Sequence, residues 1–161
     1  MTDSVAFAAS DKGSRYRELA PQLAALFEGE PDLIANLANA TAAIRECIPL
    51  ASWVGFYVLR NRELVLGPFQ GKVACVRIAL GRGVCGTAAS ERRTLIVPDV
   101  ELFPGHIACD AGSRSEIVVP ILCRGELVAV LDLDSYERAA FDDLDAAGLA
   151  PIAELLGTLA W

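Results

Sequence analysis

Glu116-Ile117-Val118-Val119-Pro120-Ile121-Leu122, then Arg124-Gly125, then Glu126-Leu127-Val128-Ala129-Val130-Leu131-Asp132 is the stretch that decides the fold. Two apolar runs rich in β-branched residues flank a tight turn, which reads as a hairpin and therefore as antiparallel pairing. Upstream, Trp53 to Leu59, Glu63 to Phe69 and Cys75 to Leu80 read as further strands, with turns at Asn61-Arg62 and Gln70-Gly71-Lys72. Ahead of them the period changes. Tyr16, Leu19, Leu23, Leu26 and Phe27 follow helical spacing up to Gly29-Glu30-Pro31, and Leu33, Leu37, Ala40, Ile44 and Ile48 make a second helix ended by Pro49. A short helix is expected over Val84 to Arg92 and a strand over Thr94 to Val97, followed by a long ordered loop from Pro98 to Arg114. A last helix starts at Asp142, an N-cap with Asp145 in the first turn, and Pro151 is expected to kink or restart it. The pattern describes an α+β sheet domain over residues 14–161, with 1–13 read as a loose N-terminal tail.

The chain's 161 residues suffice for one domain. An apolar content of 53% is high, but its longest uninterrupted run, Ile117 to Cys123, falls far short of the ~20 residues that span a bilayer. No basic, apolar leader opens the sequence, so a cytoplasmic setting is expected. Fourteen basic residues face 21 acidic ones, for a net charge of −7. Such a surface repels phosphate backbones and anionic lipid heads, which argues against nucleic-acid and membrane partners. Five cysteines at wide spacing are an odd set, unlike a secreted disulfide scaffold. Cys47 and Cys123 suit small buried hydrophobes.

Four constellations could carry chemistry. Gly81-Arg82-Gly83-Val84-Cys85-Gly86 spells a dinucleotide-binding fingerprint, with Asp99 further on, but hairpin-joined strands contradict the parallel unit that the motif needs. Cys75, Cys85, His106 and Cys109 are legitimate zinc donors, yet Cys75 and Cys85 are too far apart for a zinc knuckle. The same thiols could run a redox cycle, since Cys109 lies in the glycine-bearing loop Gly105-His106-Ile107-Ala108-Cys109-Asp110 and Cys75 and Cys85 flank a glycine-rich turn. Finally, Glu116 opens one hairpin strand while Asp132 and Asp134 close the other, on one face of it. Clustered acids at a sheet end can hold an ammonium group or share a proton for acid catalysis.

Taken together, several blocks resemble the free methionine-(R)-sulfoxide reductase family. They are Trp53-Val54-Gly55-Phe56-Tyr57, Gly67-Pro68-Phe69-Gln70-Gly71-Lys72-Val73-Ala74-Cys75, Gly83-Val84-Cys85-Gly86-Thr87-Ala88, Val97-Pro98-Asp99-Val100, Phe103 to Asp110, Ser113 to Pro120 and Leu131-Asp132-Leu133-Asp134-Ser135. The resemblance runs from about Arg15 to the C-terminus. It implies a GAF fold: a central antiparallel sheet with N- and C-terminal helices on one face and a loop-covered ligand pocket on the other. By matching positions, it implies Cys109 as nucleophile, Cys75 as resolving cysteine and Cys85 as a secondary recycling thiol. Glu116, Asp132 and Asp134 match pocket carboxylates, and Trp53 and Tyr57 belong to the substrate-binding set. The implied reaction is thiol-dependent reduction of free methionine-(R)-sulfoxide by a homodimer, recycled by a thioredoxin-type reductant, with no metal or organic cofactor. The rival expectation is a stand-alone GAF module that senses a small ligand or redox state.

Overall fold

The computed structural model describes residues 4–161. Among them are four α-helices and six strands. The helices are α1 (Lys12–Phe27), α2 (Leu33–Cys47), α3 (Gly83–Glu91) and α4 (Asp143–Leu156). The strands are β1 (Trp53–Arg60), β2 (Glu63–Gln70), β3 (Arg77–Ala79), β4 (Leu95–Val97), β5 (Ser115–Cys123) and β6 (Glu126–Ser135). A short 3-10 turn covers Val100–Leu102. The strands form one sheet in the order β3-β2-β1-β6-β5-β4, and every pairing is antiparallel. No helix among the described residues is long and apolar enough to cross a membrane.

Both tight hairpins are closed by pairs in the left-handed region, Asn61-Arg62 and Arg124-Gly125. That geometry matches the twist of the flanking strands, which explains why two-residue loops suffice. Strand alternation then divides the core in two. Val54, Phe56, Ile117, Val119, Ile121, Leu131 and Leu133 face α1, α2 and α4. Trp53, Tyr57, Val118 and Val130 face the other way, toward α3 and the long loops.

Side-chain caps start α1 and α2: Asp11 accepts from Ser14 N (2.9 Å) and Asp32 from Ala35 N (2.9 Å). Asp142 caps α4 in a reciprocal box with Asp145, as the sequence suggested. Asp145 also ties α4 to α1, accepting from Tyr16 Oη and Lys12 Nζ, each at 2.7 Å. The helix does not restart at Pro151, because α4 runs through it from Asp143 to Leu156. Leu149, Ile152 and Leu156 are fully buried on this helix. Each contributes about 1.5–3 kcal/mol, so together they outweigh the roughly 3 kcal/mol cost of an internal proline.

Residues 4–11 form no helix or strand, and residues 1–3 lie outside the described residues. From Ala6 to Ala9 the chain lies against α1: Ala6 pairs with the Gln22 side chain, and the Ala8 and Ala9 amides donate to Glu18. The third expected strand is shorter than Cys75 to Leu80. Arg77–Ala79 pairs with β2 and Val76 O still accepts from Leu66 N at 2.9 Å, but the backbone carbonyl of Cys75 is taken by the Tyr57 hydroxyl.

Candidate active site

The site follows from the period-two rule on three central strands. Trp53 pairs with Asp134, Gly55 with Asp132, Glu116 with Asp134, and Val118 with Asp132. All of these side chains project from the face away from α1, α2 and α4. The expected meeting of Glu116 with the two aspartates therefore occurs. Glu116 and Asp132 are each only 5% exposed, which makes the cluster a buried one. A cavity lined by this cluster, Trp53, Tyr57, Cys85, His106 and Cys109 opens beside it.

Aromatic packing sets the cavity wall. The Trp53 ring stacks between Phe69 (5.3 Å) and Tyr57 (6.0 Å), and its Nε1 donates to Lys72 O at 3.0 Å. A side chain at Gly55 would run into both Trp53 and Phe69, so the strand needs glycine there. The Tyr57 hydroxyl donates to Cys75 O at 3.0 Å and anchors the loop that carries this cysteine.

Cys75 and Cys109 form a disulfide at the cavity mouth, with Cα atoms 5.5 Å apart. The four-donor zinc set that the sequence offered and its spacing disfavoured, Cys75, Cys85, His106 and Cys109, is not assembled, since two of its sulfurs are bonded to each other. Cys85 and His106 approach Glu116 instead, with Cys85 Sγ 3.7 Å from Glu116 Oε1 and His106 Nε2 3.8 Å from Glu116 Oε2. The glycine fingerprint has a packing role. Gly86 lies against the Ala79 carbonyl with no room for a side chain, and Gly81 N donates to Gly86 O at 2.8 Å.

Burial dominates the electrostatics. It pushes the Glu116 and Asp134 carboxyls well above the usual range, and like charge from Asp132 adds to both. Burial also raises Asp132, but hydrogen bonds from Glu116 and Cys85 hold it to about 6. The Cys85 thiol is raised well above an ordinary cysteine by burial and by its acidic neighbours. Burial lowers His106, so its imidazole is neutral near Glu116. The Asp132 Oδ1 oxygen has no hydrogen-bond partner among the described residues. A buried acceptor left this way costs about 1–3 kcal/mol, and a cationic group placed against it would recover that cost.

Sequence reasoning missed a clasp over the loop that carries Cys109. Asp110 accepts from Gly112 N (2.9 Å) and from Tyr136 Oη (2.8 Å), while Lys72 Nζ sits 5.4 Å from the centre of the Tyr136 ring. The spacing Asp110-x-Gly112 was a signal for the first bond. Tyr136 carried none, because its contact depends on the tertiary path of β6.

The family model of the GAF domain matches residues 21–159. Sheet, helices and match together define a GAF domain. "GAF domain-containing protein A" of Dictyostelium discoideum is 50% identical over 157 residues, 97% of this chain and 99% of that protein. The free methionine-R-sulfoxide reductase of Escherichia coli (strain K12) is 46% identical over 146 residues, 91% of this chain and 88% of that protein. The crystal structure of the Neisseria meningitidis enzyme of the same name, in complex with its substrate, superposes with a TM-score of 0.93 at 47% identity, covering 97% of this chain and 94% of that one. The chain belongs to the free methionine-R-sulfoxide reductase family of GAF proteins.

Proposed function

We propose that this chain reduces free L-methionine-(R)-sulfoxide to L-methionine, with Cys109 as nucleophile and Cys75 as resolving thiol. The observation that carries the reading is the Cys75–Cys109 disulfide beside a buried carboxyl cluster with one unpartnered oxygen. The α-ammonium of a free amino acid is the group that would meet this oxygen, and peptide-bound methionine lacks it.

In the reaction, the Cys109 thiolate attacks the sulfoxide sulfur while a protonated carboxyl donates to its oxygen. Oxygen passes to Cys109: the substrate sulfur is reduced by two electrons, Cys109 becomes a sulfenic acid, and methionine leaves. The Cys75 thiol then attacks Cys109 Sγ, forming the disulfide and releasing water. A thioredoxin-type dithiol returns two electrons by exchange, with Cys85 as a secondary thiol in that recycling. Glu116 and Asp134, pushed well above the usual carboxyl range by burial and by the charge of Asp132, suit the acid role. Asp132 ionises more readily and suits the ammonium. Trp53 and Tyr57 wall the methyl end. The enzyme works as a cytoplasmic homodimer in this reading.

The test is to assay methionine formed from free methionine-(R)-sulfoxide with dithiothreitol. A redox sensor with the same disulfide would form no methionine.

A further inference from the structure

We propose that Cys85, His106, Glu116 and Asp132 form a binding site for a borderline-soft divalent cation such as Zn2+, and that its occupancy blocks the active site. One donor atom each from Cys85, Glu116 and Asp132 lie within 4.8 Å of one another. His106 lies outside that group of three, at the rim, with Nε2 3.8 Å from the second Glu116 oxygen and its side chain 17% exposed, so it borders the entry path and would have to swing inward to serve as the fourth donor.

The spacing suits a tetrahedral ion. Zinc bonds of ~2.3 Å to sulfur and ~2.0–2.1 Å to nitrogen or oxygen place neighbouring donors about 3.4–3.5 Å apart. The Cys85 Sγ–Glu116 Oε1 separation of 3.7 Å needs to contract by only a few tenths of an ångström, and the remaining pairs of the three-donor group close from within 4.8 Å. A mixed sulfur, nitrogen and oxygen set selects zinc over magnesium or calcium, which prefer oxygen shells.

A second observation points to a ligand here. Asp132 Oδ1 has no partner among the described residues, and Asp132 is 95% buried by its 5% exposure. A dication would satisfy that oxygen and remove the carboxyl–carboxyl repulsion of the cluster. On binding, the Cys85 thiol and the protonated carboxyls lose protons to solvent as metal–sulfur and metal–oxygen bonds form. No atom changes oxidation state. The inhibitory consequence rests on the proposed function, because the same carboxyls would serve the substrate; the binding itself does not.

The test titrates the full chain, with the Cys75–Cys109 disulfide closed, by calorimetry with Zn2+. Cd2+ is used in parallel to read the thiolate-to-metal charge-transfer absorbance. One ion per chain is expected, with proton release. Affinity should fall at least about tenfold in Cys85→Ser and in Asp132→Asn but not in Cys47→Ser. Circular dichroism checks folding, and His106→Gln on the rim gives a further arm with the same expected weakening. Absence of saturable binding, absence of the thiolate band, or affinity unchanged in Cys85→Ser, Asp132→Asn and His106→Gln would overturn the site. Tight binding at Cys85 that leaves methionine sulfoxide reduction intact would overturn the block. A chain that binds the ion but never forms methionine would count against the proposed reaction instead.

Discussion

Cys75 and Cys109 stand 34 positions apart in sequence yet are bonded to each other, their Cα atoms 5.5 Å apart. The bond joins the loop between β2 and β3 to the loop after the 3-10 turn. Cys109 is exposed and Cys75 half-buried, so an external dithiol can reach the bond at the cavity mouth. Such an accessible place suits a bond that is made and broken in each turnover.

Separate roles for the two sulfurs make separate variants informative. Cys109→Ser should abolish even a single turnover, because an alcohol at neutral pH is too weak a nucleophile. Cys75→Ser should form one methionine per chain and then stall with thioredoxin. Quantifying methionine after rapid mixing, and then in steady state, checks both. Full steady-state turnover of Cys75→Ser would remove it as the main resolver.

Substrate choice tests the ammonium site. N-acetylation removes the positive charge that the buried carboxylate is proposed to meet. The loss should be on the order of 2–5 kcal/mol, or about 30-fold or more in kcat/KM. Comparable kcat/KM for free and N-acetylated sulfoxide would contradict the pocket assignment.

The acid cluster should also shape stability. A carboxyl whose folded pKa is raised binds more protons folded than unfolded, so it stabilises the fold less as pH rises. For Asp132 the window runs from 3.8 up to about 6, a cost of about 3 kcal/mol once ionised. Glu116 and Asp134 push in the same direction. Asp132→Asn should therefore raise Tm at about pH 7.5 and change it little at about pH 4, where the native carboxyl is protonated. Equal shifts at both values, read by differential scanning calorimetry, would show that ionisation is not the cause.

Gly55 offers a packing test of the aromatic wall. A methyl group there collides with the Trp53 indole and with Phe69. Gly55→Ala should cost about 1–3 kcal/mol of stability and raise KM through the displaced indole. A folded variant with unchanged KM would mean that the Trp53 ring does not contact substrate.

Much of this was legible in the sequence because it depends on local rules. The hairpin at Arg124-Gly125 and the strand alternation around Asp132 together put the acids on one face before any coordinates are considered. Capping by Asp142 was equally local. The short β3 was not, because the Cys75 carbonyl is taken by the hydroxyl of Tyr57, 18 positions away. Whether α4 would restart at Pro151 was not local either: helix continuity there is decided by what Leu149, Ile152 and Leu156 bury. The approach of Cys85 and His106 to Glu116 joins three separate segments, and no spacing within any one of them announces it.

The central claim is that substrate drives closure of the Cys75–Cys109 bond. Fully reduced chain, freed of reductant, should be mixed with excess free methionine-(R)-sulfoxide, quenched, and mapped by non-reducing peptide mass spectrometry. The expected result is one methionine per chain together with a Cys75–Cys109 linked peptide, neither of which forms when substrate is omitted. Methionine without that linkage, or the linkage forming equally fast without substrate, would contradict the account.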